Sequence, residues 1–224
     1  MESLNERKEA RLNAIDGIQL NARTYNLTIG AITLYGLLVN LLMCETLGEW
    51  AITINPIALI VGYFISGIIG IIMSVRSSSA IISFIGYNLV VIPVGLVLSI
   101  IMYDYKRISP EIIPQAIGYT AIIVAIMLVL SVSFPDFFSK LGGILFTVLL
   151  SLVIIEVVML FLGIDHIMFA YIGAALFSLY IGYDYWKAQQ YPKTLDNAVD
   201  SALDIYLDII NLLIRILRIL SKKK

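Results

Sequence analysis

Cysteine and histidine are all but missing from this 224-residue chain. The single cysteine, Cys44, excludes an internal disulfide and reads as a packing residue, and the single His166 leaves no histidine-rich metal site. Charge is scarce as well: only 14% of residues are Asp, Glu, Lys or Arg, where a soluble domain carries about 25%. The formal net charge of −1 removes the basic surplus that nucleic acid requires, so no nucleic-acid partner is expected. No activated nucleophile, metal cluster or phosphate-binding loop stands out, so neither an enzyme nor a bound cofactor is expected. The opening stretch MESLNERKEARLNAIDGIQLNART lacks the apolar core of a signal peptide, and the first apolar run, near Leu27, is expected to stay in the mature protein.

What is present in quantity is apolar sequence, 60% of the chain. Seven runs come close to the ~20 residues that cross a bilayer as helix, at 27–44, 54–75, 80–103, 112–134, 141–163, 167–190 and 198–220. They are continuous rather than alternating, which excludes the strands of a membrane β-barrel. The expected fold is therefore an all-α integral membrane protein: a polar segment over 1–26, a seven-helix domain over 27–220 and a basic tail over 221–224. The lipid bilayer is its first partner. Two readings stand for the polar segment. Ala10, Ala14, Ile15 and Ile18 make a short apolar stripe suited to the membrane surface, or the segment is a solvated tail.

Basic residues set the orientation. With the N-terminus in the cytosol, the inner segments hold Arg7, Lys8, Arg11, Arg23, Arg76, Lys140, Lys187 and Lys193, and the outer loops only Lys106 and Arg107. This favours a cytosolic N-terminus. The terminal cluster of Arg215, Arg218 and Lys222 to Lys224 then falls outside if the last run crosses, against the rule; the uninterrupted length of that run nevertheless argues for a crossing.

Several runs hold residues that a plain anchor does not need. Pro93 removes a backbone donor inside the third, close to Asn88. Gly62, Gly67 and Gly70 in the second run, with Gly142 and Gly143 in the fifth, permit close helix packing. Glu156 lies two-thirds along the fifth run, either as a functional carboxylate or as the structural partner of a basic or hydroxyl group.

The acids of the last two runs are the strongest functional signal, because a carboxylate at membrane depth is costly unless paired, hydrated or neutralised. Asp184 comes near the end of the sixth run. Asp196, Asp200, Asp204 and Asp208 follow at intervals of four, which on an α-helix turns each only about 40° from the last and keeps the set on one face. Thr194 or Asp196 is suited to cap this helix, and acids in its first turn favour its positive end. That accounts for Asp196 and Asp200 but not for Asp208, three turns in. A short turn makes the last two helices neighbours. By helical rise alone, Asp184 matches the depth of Asp204 (roughly 9 and 12 Å from the turn) better than that of Asp208, at roughly 18 Å.

The stretch FSLYIGYD (177–184) followed by ALDIYLDIINLLIRIL (202–217) resembles the Bax inhibitor-1 family. Tyr180, Tyr183 and Asp184 match the Tyr-x-x-Tyr-Asp that ends that family's sixth helix. Tyr206, Leu207, Asp208, Ile210 and Asn211 match the Tyr-Leu-Asp-x-Ile-Asn of its seventh. The resemblance implies a seven-helix fold with the last helix central, a pH-sensitive calcium leak, and a plasma-membrane location for prokaryotic-type members. It also implies that Asp184 and Asp208 correspond to paired aspartates that share a proton, set the gate and are the candidate calcium ligands. Arg76, closing the second run, stands near the family's basic residue there. The chain departs from the pattern in having no acid inside its second run and in adding a third carboxylate, Asp204.

Two carboxylates in a poorly hydrated site do not both ionise cheaply, so such a pair retains a proton between them. Protonation turns a cation-attracting site into a hydrogen-bonded clasp, the chemistry of a pH-gated cation path. The expected function is a pH-sensitive calcium leak channel with Asp184 and Asp208 as gate and Asp204, Arg76, Tyr183, Tyr206, Asn211 and Glu156 in support, with calcium ions and protons as its ligands. Two other readings use the same features: a membrane regulator that binds proteases or other membrane proteins, and a proton-coupled cation exchanger. The topology is directly testable. A cysteine at Ser221, in a chain with Cys44 replaced by Ser, should be labelled by an impermeant reagent on intact cells; labelling only after lysis would mean that the last segment enters and returns.

Overall fold

The computed structural model describes residues 11–12, 18–163 and 166–222, with the backbone alone at 75, 76, 108 and 160. Among the described residues, nine helices follow Arg11 and Leu12: α1 (Ala22–Thr46), α2 (Gly48–Ala51), α3 (Pro56–Arg76), α4 (Ala80–Ile108), α5 (Ile112–Ser133), α6 (Pro135–Ser139), α7 (Gly142–Leu162), α8 (Ile167–Gln190) and α9 (Leu195–Ser221). Their ends follow local chemistry. Asn21 caps α1 by accepting from the Thr24 amide at 2.8 Å, so the helix starts ahead of its apolar run. Asn55 accepts from the amides of Ile57 and Ala58, and Pro56 occupies the first helical position, where its missing N–H costs nothing. Of the two residues suited to cap α9, Thr194 does so, accepting from the Asn197 amide at 3.1 Å. Asp196 is thereby left available for other contacts.

Among the described residues, six helices are long and apolar enough to cross a membrane: Ala22–Thr46, Pro56–Ser74, Ala80–Arg107, Ile112–Ser133, Gly142–Met159 and Ile167–Ala188. They are six of the seven expected spans. The seventh, α9, has the length, 27 residues, but carries four aspartates and two arginines. Its surroundings explain the difference. No residue from Leu195 to Ser221 is exposed, and Ala198, Ala202, Tyr206, Leu212 and Leu217 are wholly enclosed. The flanks of α1, α3, α5 and α7 instead present Leu42, Ile57, Val129 and Phe161 outward, as lipid-facing surfaces do.

By its packing the chain divides into two units. The first takes the residues through Arg107 together with Ala188–Tyr206; the second takes Ile108–Lys187 with Leu207–Lys224. Within the first, helices are tied by hydrogen bonds from side chain to backbone. Tyr87 donates to the Ile32 carbonyl at 2.9 Å, Asn40 to Val91 at 3.0 Å and Ser66 to Leu89 at 2.5 Å. Such bonds matter in lipid, where apolar burial does not favour one helix partner over another. The polar N-terminal segment is also held here: Leu20 donates to the Lys193 carbonyl at 2.7 Å, and Leu195 to that of Ile18 at 2.9 Å. A free tail is thus excluded for residues 18–20, while Ala10, Ala14 and Ile15 of the expected apolar stripe lie outside the described residues. In the second unit, Leu145, Leu152 and Leu176 form a core flanked by Tyr180 and Tyr183, and Ser131 donates to the Gly182 carbonyl at 2.7 Å.

Of the glycines singled out for packing, Gly70 and Gly142 perform it. Gly142 lies under the Tyr183 ring. At Gly70 a Cβ would stand 2.5 Å from the Gly86 carbonyl oxygen, and the reverse holds at Gly86. Gly62, Gly67 and Gly143 meet nothing within 4 Å. Replacing Gly86 by Ala must therefore push α3 from α4, at about 1–3 kcal/mol. Gly62→Ala should be neutral or stabilising by up to ~1 kcal/mol through helix propensity. Thermal unfolding in one detergent compares them; equal midpoints would show that the Gly70–Gly86 approach is not a constraint.

Candidate functional site

The acids of α9 do not share one environment. In the first unit, Asp196 and Asp200 are almost fully enclosed, at 3% and 2% exposure, and each receives a serine hydroxyl: Ser83 donates to Asp196 at 2.7 Å and Ser74 to Asp200. Asp196 stands two residues ahead of the expected seventh span. Burial pushes its carboxyl above the usual carboxylate range, while the Ser83 hydroxyl and the Arg11 charge pull it back. The third member, Asp204, takes Arg11.

Arg11 was counted in the sequence only as one of the cytosolic charges, yet it is 3% exposed. Its Nη1 donates to Asp204 Oδ2 at 2.9 Å and its Nη2 to Ser201 Oγ at 2.6 Å and the Asn197 carbonyl at 3.2 Å. Nε lies 3.9 Å from Asp200 Oδ2, and the guanidinium stacks over the Tyr191 ring at 4.0 Å from its centroid. Asn197 returns the contact through its side-chain amide to the Arg11 carbonyl at 3.0 Å. The planar fork of arginine suits this multiple acceptance, and its charge persists at any working pH. Asp204, proposed from the sequence as part of an ion path, is thus one half of an ion pair.

In the second unit, α8 and α9 bring Asp184 and Asp208 to a common neighbour. Both carboxylates are within electrostatic reach of the Tyr180 hydroxyl, as is Lys187. Asp184, with an 11% exposed side chain, takes the Lys187 ammonium at 3.3 Å, one turn on in its own helix. Asp208 is 7% exposed. Tyr183 packs on Trp186 and beneath the Lys187 ammonium, 5.9 Å from its ring centroid.

The remaining predicted residues divide by role. Glu156, for which two readings stood, is the partner of Arg215 through two parallel contacts, Nη1 to Oε1 and Nη2 to Oε2, the latter 2.7 Å. Asn211 donates to the Leu207 carbonyl of its own helix at 2.8 Å. Tyr206 is fully buried, donates to Asn40 Oδ1 and packs on Tyr87 at 5.6 Å between ring centroids, which is core packing. The Arg76 side chain lies outside the described residues. No group of three or more His, Cys, Asp or Glu with metal-binding geometry occurs among the described residues.

The Arg11 pair yields a measurable coupling. Arg11→Gln leaves two buried carboxylates without their cation and should destabilise by about 3–5 kcal/mol. Asp204→Asn in the same chain should recover part of that loss, giving a coupling energy of about 0.5–3 kcal/mol. Additive losses in a double-mutant cycle of detergent unfolding would show that the two side chains are not coupled.

Comparison with known proteins places the chain among relatives. Two curated proteins from two strains of Helicobacter pylori, each described only as an uncharacterized protein, are 37% identical over 86 residues. The matched stretch covers 37% of this chain and 36% of each relative, so it spans little more than a third of their length. The profile of the family described as inhibitor of apoptosis-promoting Bax1 matches residues 19–224, which takes in every span and both aspartate motifs, and the chain belongs to that Bax inhibitor family.

Proposed function

We propose that this protein is a pH-sensitive calcium leak path in the plasma membrane, N-terminus in the cytosol, gated by Asp184 and Asp208. The observation that carries the reading is that these two carboxylates, from α8 and α9, both lie within electrostatic reach of the Tyr180 hydroxyl. With both ionised, the pair attracts a divalent cation; with a proton held between them, the charge is halved and a hydrogen bond joins the helices. Two carboxylates fall short of the six to eight oxygens that calcium favours, so water and carbonyl oxygens complete its shell. Weak, incomplete coordination suits an ion that must leave again. Lys187, at 3.3 Å from Asp184, is the resident cation that calcium must displace or adjoin.

Calcium flux into liposomes containing only this protein separates a leak path from a regulator that acts by binding other membrane proteins. Across a pH series, Asp184→Asn or Asp208→Asn should each abolish most of the pH dependence, because either removes the like charge that retains the shared proton. The double variant should add little to either single change, as expected of one coupled unit. An unshifted pH profile in a single variant, or additive effects in the double, would overturn the aspartate gate; absence of flux in the wild type would overturn the leak itself.

A further inference from the structure

Asp196, Asp200 and Asp204 crowd the start of α9, and their partners differ in how they can leave. Ser83 and Ser74, which donate to Asp196 and Asp200, belong to α4 and α3. Those hydroxyls cannot withdraw unless whole helices part. Arg11 precedes the nine helices, and it alone of these three partners can be drawn away with the helices left in place. Its hold is polar. Leu12 and Ile18, on the same stretch of chain, are 40% and 67% exposed and lend it little apolar anchorage. The guanidinium contacts and the Asn197 amide on the Arg11 carbonyl keep it in place. Two backbone bonds assist them, Leu20 to the Lys193 carbonyl and Leu195 to that of Ile18.

We propose that Arg11 is a built-in counter-ion that closes this end of α9 to mobile cations, an autoinhibitory contact released when its stretch of chain is drawn away. The guanidinium stands where a free cation would be attracted. Asp204 Oδ2, Ser201 Oγ and the Asn197 carbonyl lie 2.9, 2.6 and 3.2 Å from its nitrogens, with Asp200 Oδ2 at 3.9 Å. With Arg11 in place, the side chains of Asp200 and Asp204 are 2% and 12% exposed. With it gone, the charge that balances them is lost on the side from which it came, and clustered carboxylates at an opening concentrate cations.

The choice of arginine defines what can release the contact. A guanidinium keeps its charge at any working pH, so the closure follows the position of the stretch and not a change of charge on Arg11. In Arg11→Gln the release has its own driving force. Two carboxylates enclosed without their cation are costly, and they regain water only if the stretch lifts. The closure is separate from Asp184 and Asp208, and it stands whether or not those two form a gate.

The test is carboxylate labelling of the full chain in neutral detergent by a water-soluble carbodiimide with a cationic tail, read by peptide mass spectrometry. The reagent is itself a small cation, so labelling reports cation access. In the wild type, the exposed Asp136 should be labelled and Asp200 and Asp204 spared. Arg11→Gln should speed labelling of Asp200 and Asp204 roughly tenfold, the shift in a local opening that one lost ion pair brings. Leu20→Pro, which keeps Arg11 but removes the amide bond to Lys193, should act in the same direction. Asp208, 7% exposed, should stay unlabelled throughout, as the sign of an intact interior. Labelling of Asp200 and Asp204 in the wild type as readily as Asp136, or unchanged labelling in Arg11→Gln, would overturn the closure. So would labelling that spreads equally to Asp208, since the whole helix would then have loosened. Should Arg11→Gln fail to fold, Leu20→Pro decides alone, and unchanged labelling there overturns the closure.

Discussion

A helix with no exposed residue and four aspartates is the constraint that the rest of the molecule answers. Transfer of a carboxylate from water into a protein interior costs several kcal/mol unless a partner compensates it. α9 meets that demand residue by residue: serines from α3 and α4 for Asp200 and Asp196, and the Arg11 guanidinium for Asp204. Arg11 is the most demanding of these partners, because it must itself be enclosed. Asp204, Ser201 and the Asn197 carbonyl accept from it, and Tyr191 supplies an aromatic face, so the charge that neutralises the acids is held largely by the helix that carries them. The bridge between residues 18–20 and the turn before α9 adds a backbone tie to the start of the same helix.

The lipid-facing helices follow a different logic. In a bilayer an outward leucine gains as much from lipid as from another helix, so specificity comes from close approach and from polar contacts. The crossing of α3 and α4 at Gly70 and Gly86 is of the first kind. The side-chain bonds of Tyr87, Asn40 and Ser66 to carbonyls of neighbouring helices are of the second. Asn40 serves twice, donating to Val91 and accepting from Tyr206, so one amide joins three helices of the first unit. Asn88, an oddity in its apolar run, likewise accepts from Tyr35 and donates to its own helix at Phe84.

How much of this was legible in the sequence depends on the range of the interaction. Long apolar runs report a local property, and α8 occupies the expected range, 167–190, without adjustment. Other boundaries moved where a cap or a charged turn extends the helix beyond its apolar stretch, as Asn21 does for α1 and Thr194 for α9. The four-residue spacing of the aspartates placed them on one face, but no local pattern could name their partners. Arg11 lies 193 residues from Asp204, and Arg215 lies 59 from Glu156. Neither separation leaves a periodic trace. A charge count that treats every basic residue as a topological marker hides the ones that are inside. The signal that was available was the deficit itself: four acids on an apolar helix require cations or hydroxyls from elsewhere, and Arg11 is among the few basic residues in the chain.

The kind of cation each acid receives separates structural carboxylates from adjustable ones. Asp204 and Glu156 are both held by arginine, whose guanidinium stays charged and engages several acceptors at fixed angles. Such pairs resist change. Asp184 instead takes the Lys187 ammonium, at 3.3 Å, from a side chain that is 28% exposed. An ammonium on a four-carbon stem can swing away or exchange its proton without unlocking the helices. Asp184 and Asp208 both lie within electrostatic reach of the Tyr180 hydroxyl, so the charge of each bears on one shared neighbour. The proposed gate rests on that difference: it assigns the pH response to the two buried acids near Tyr180 rather than to those that arginine holds.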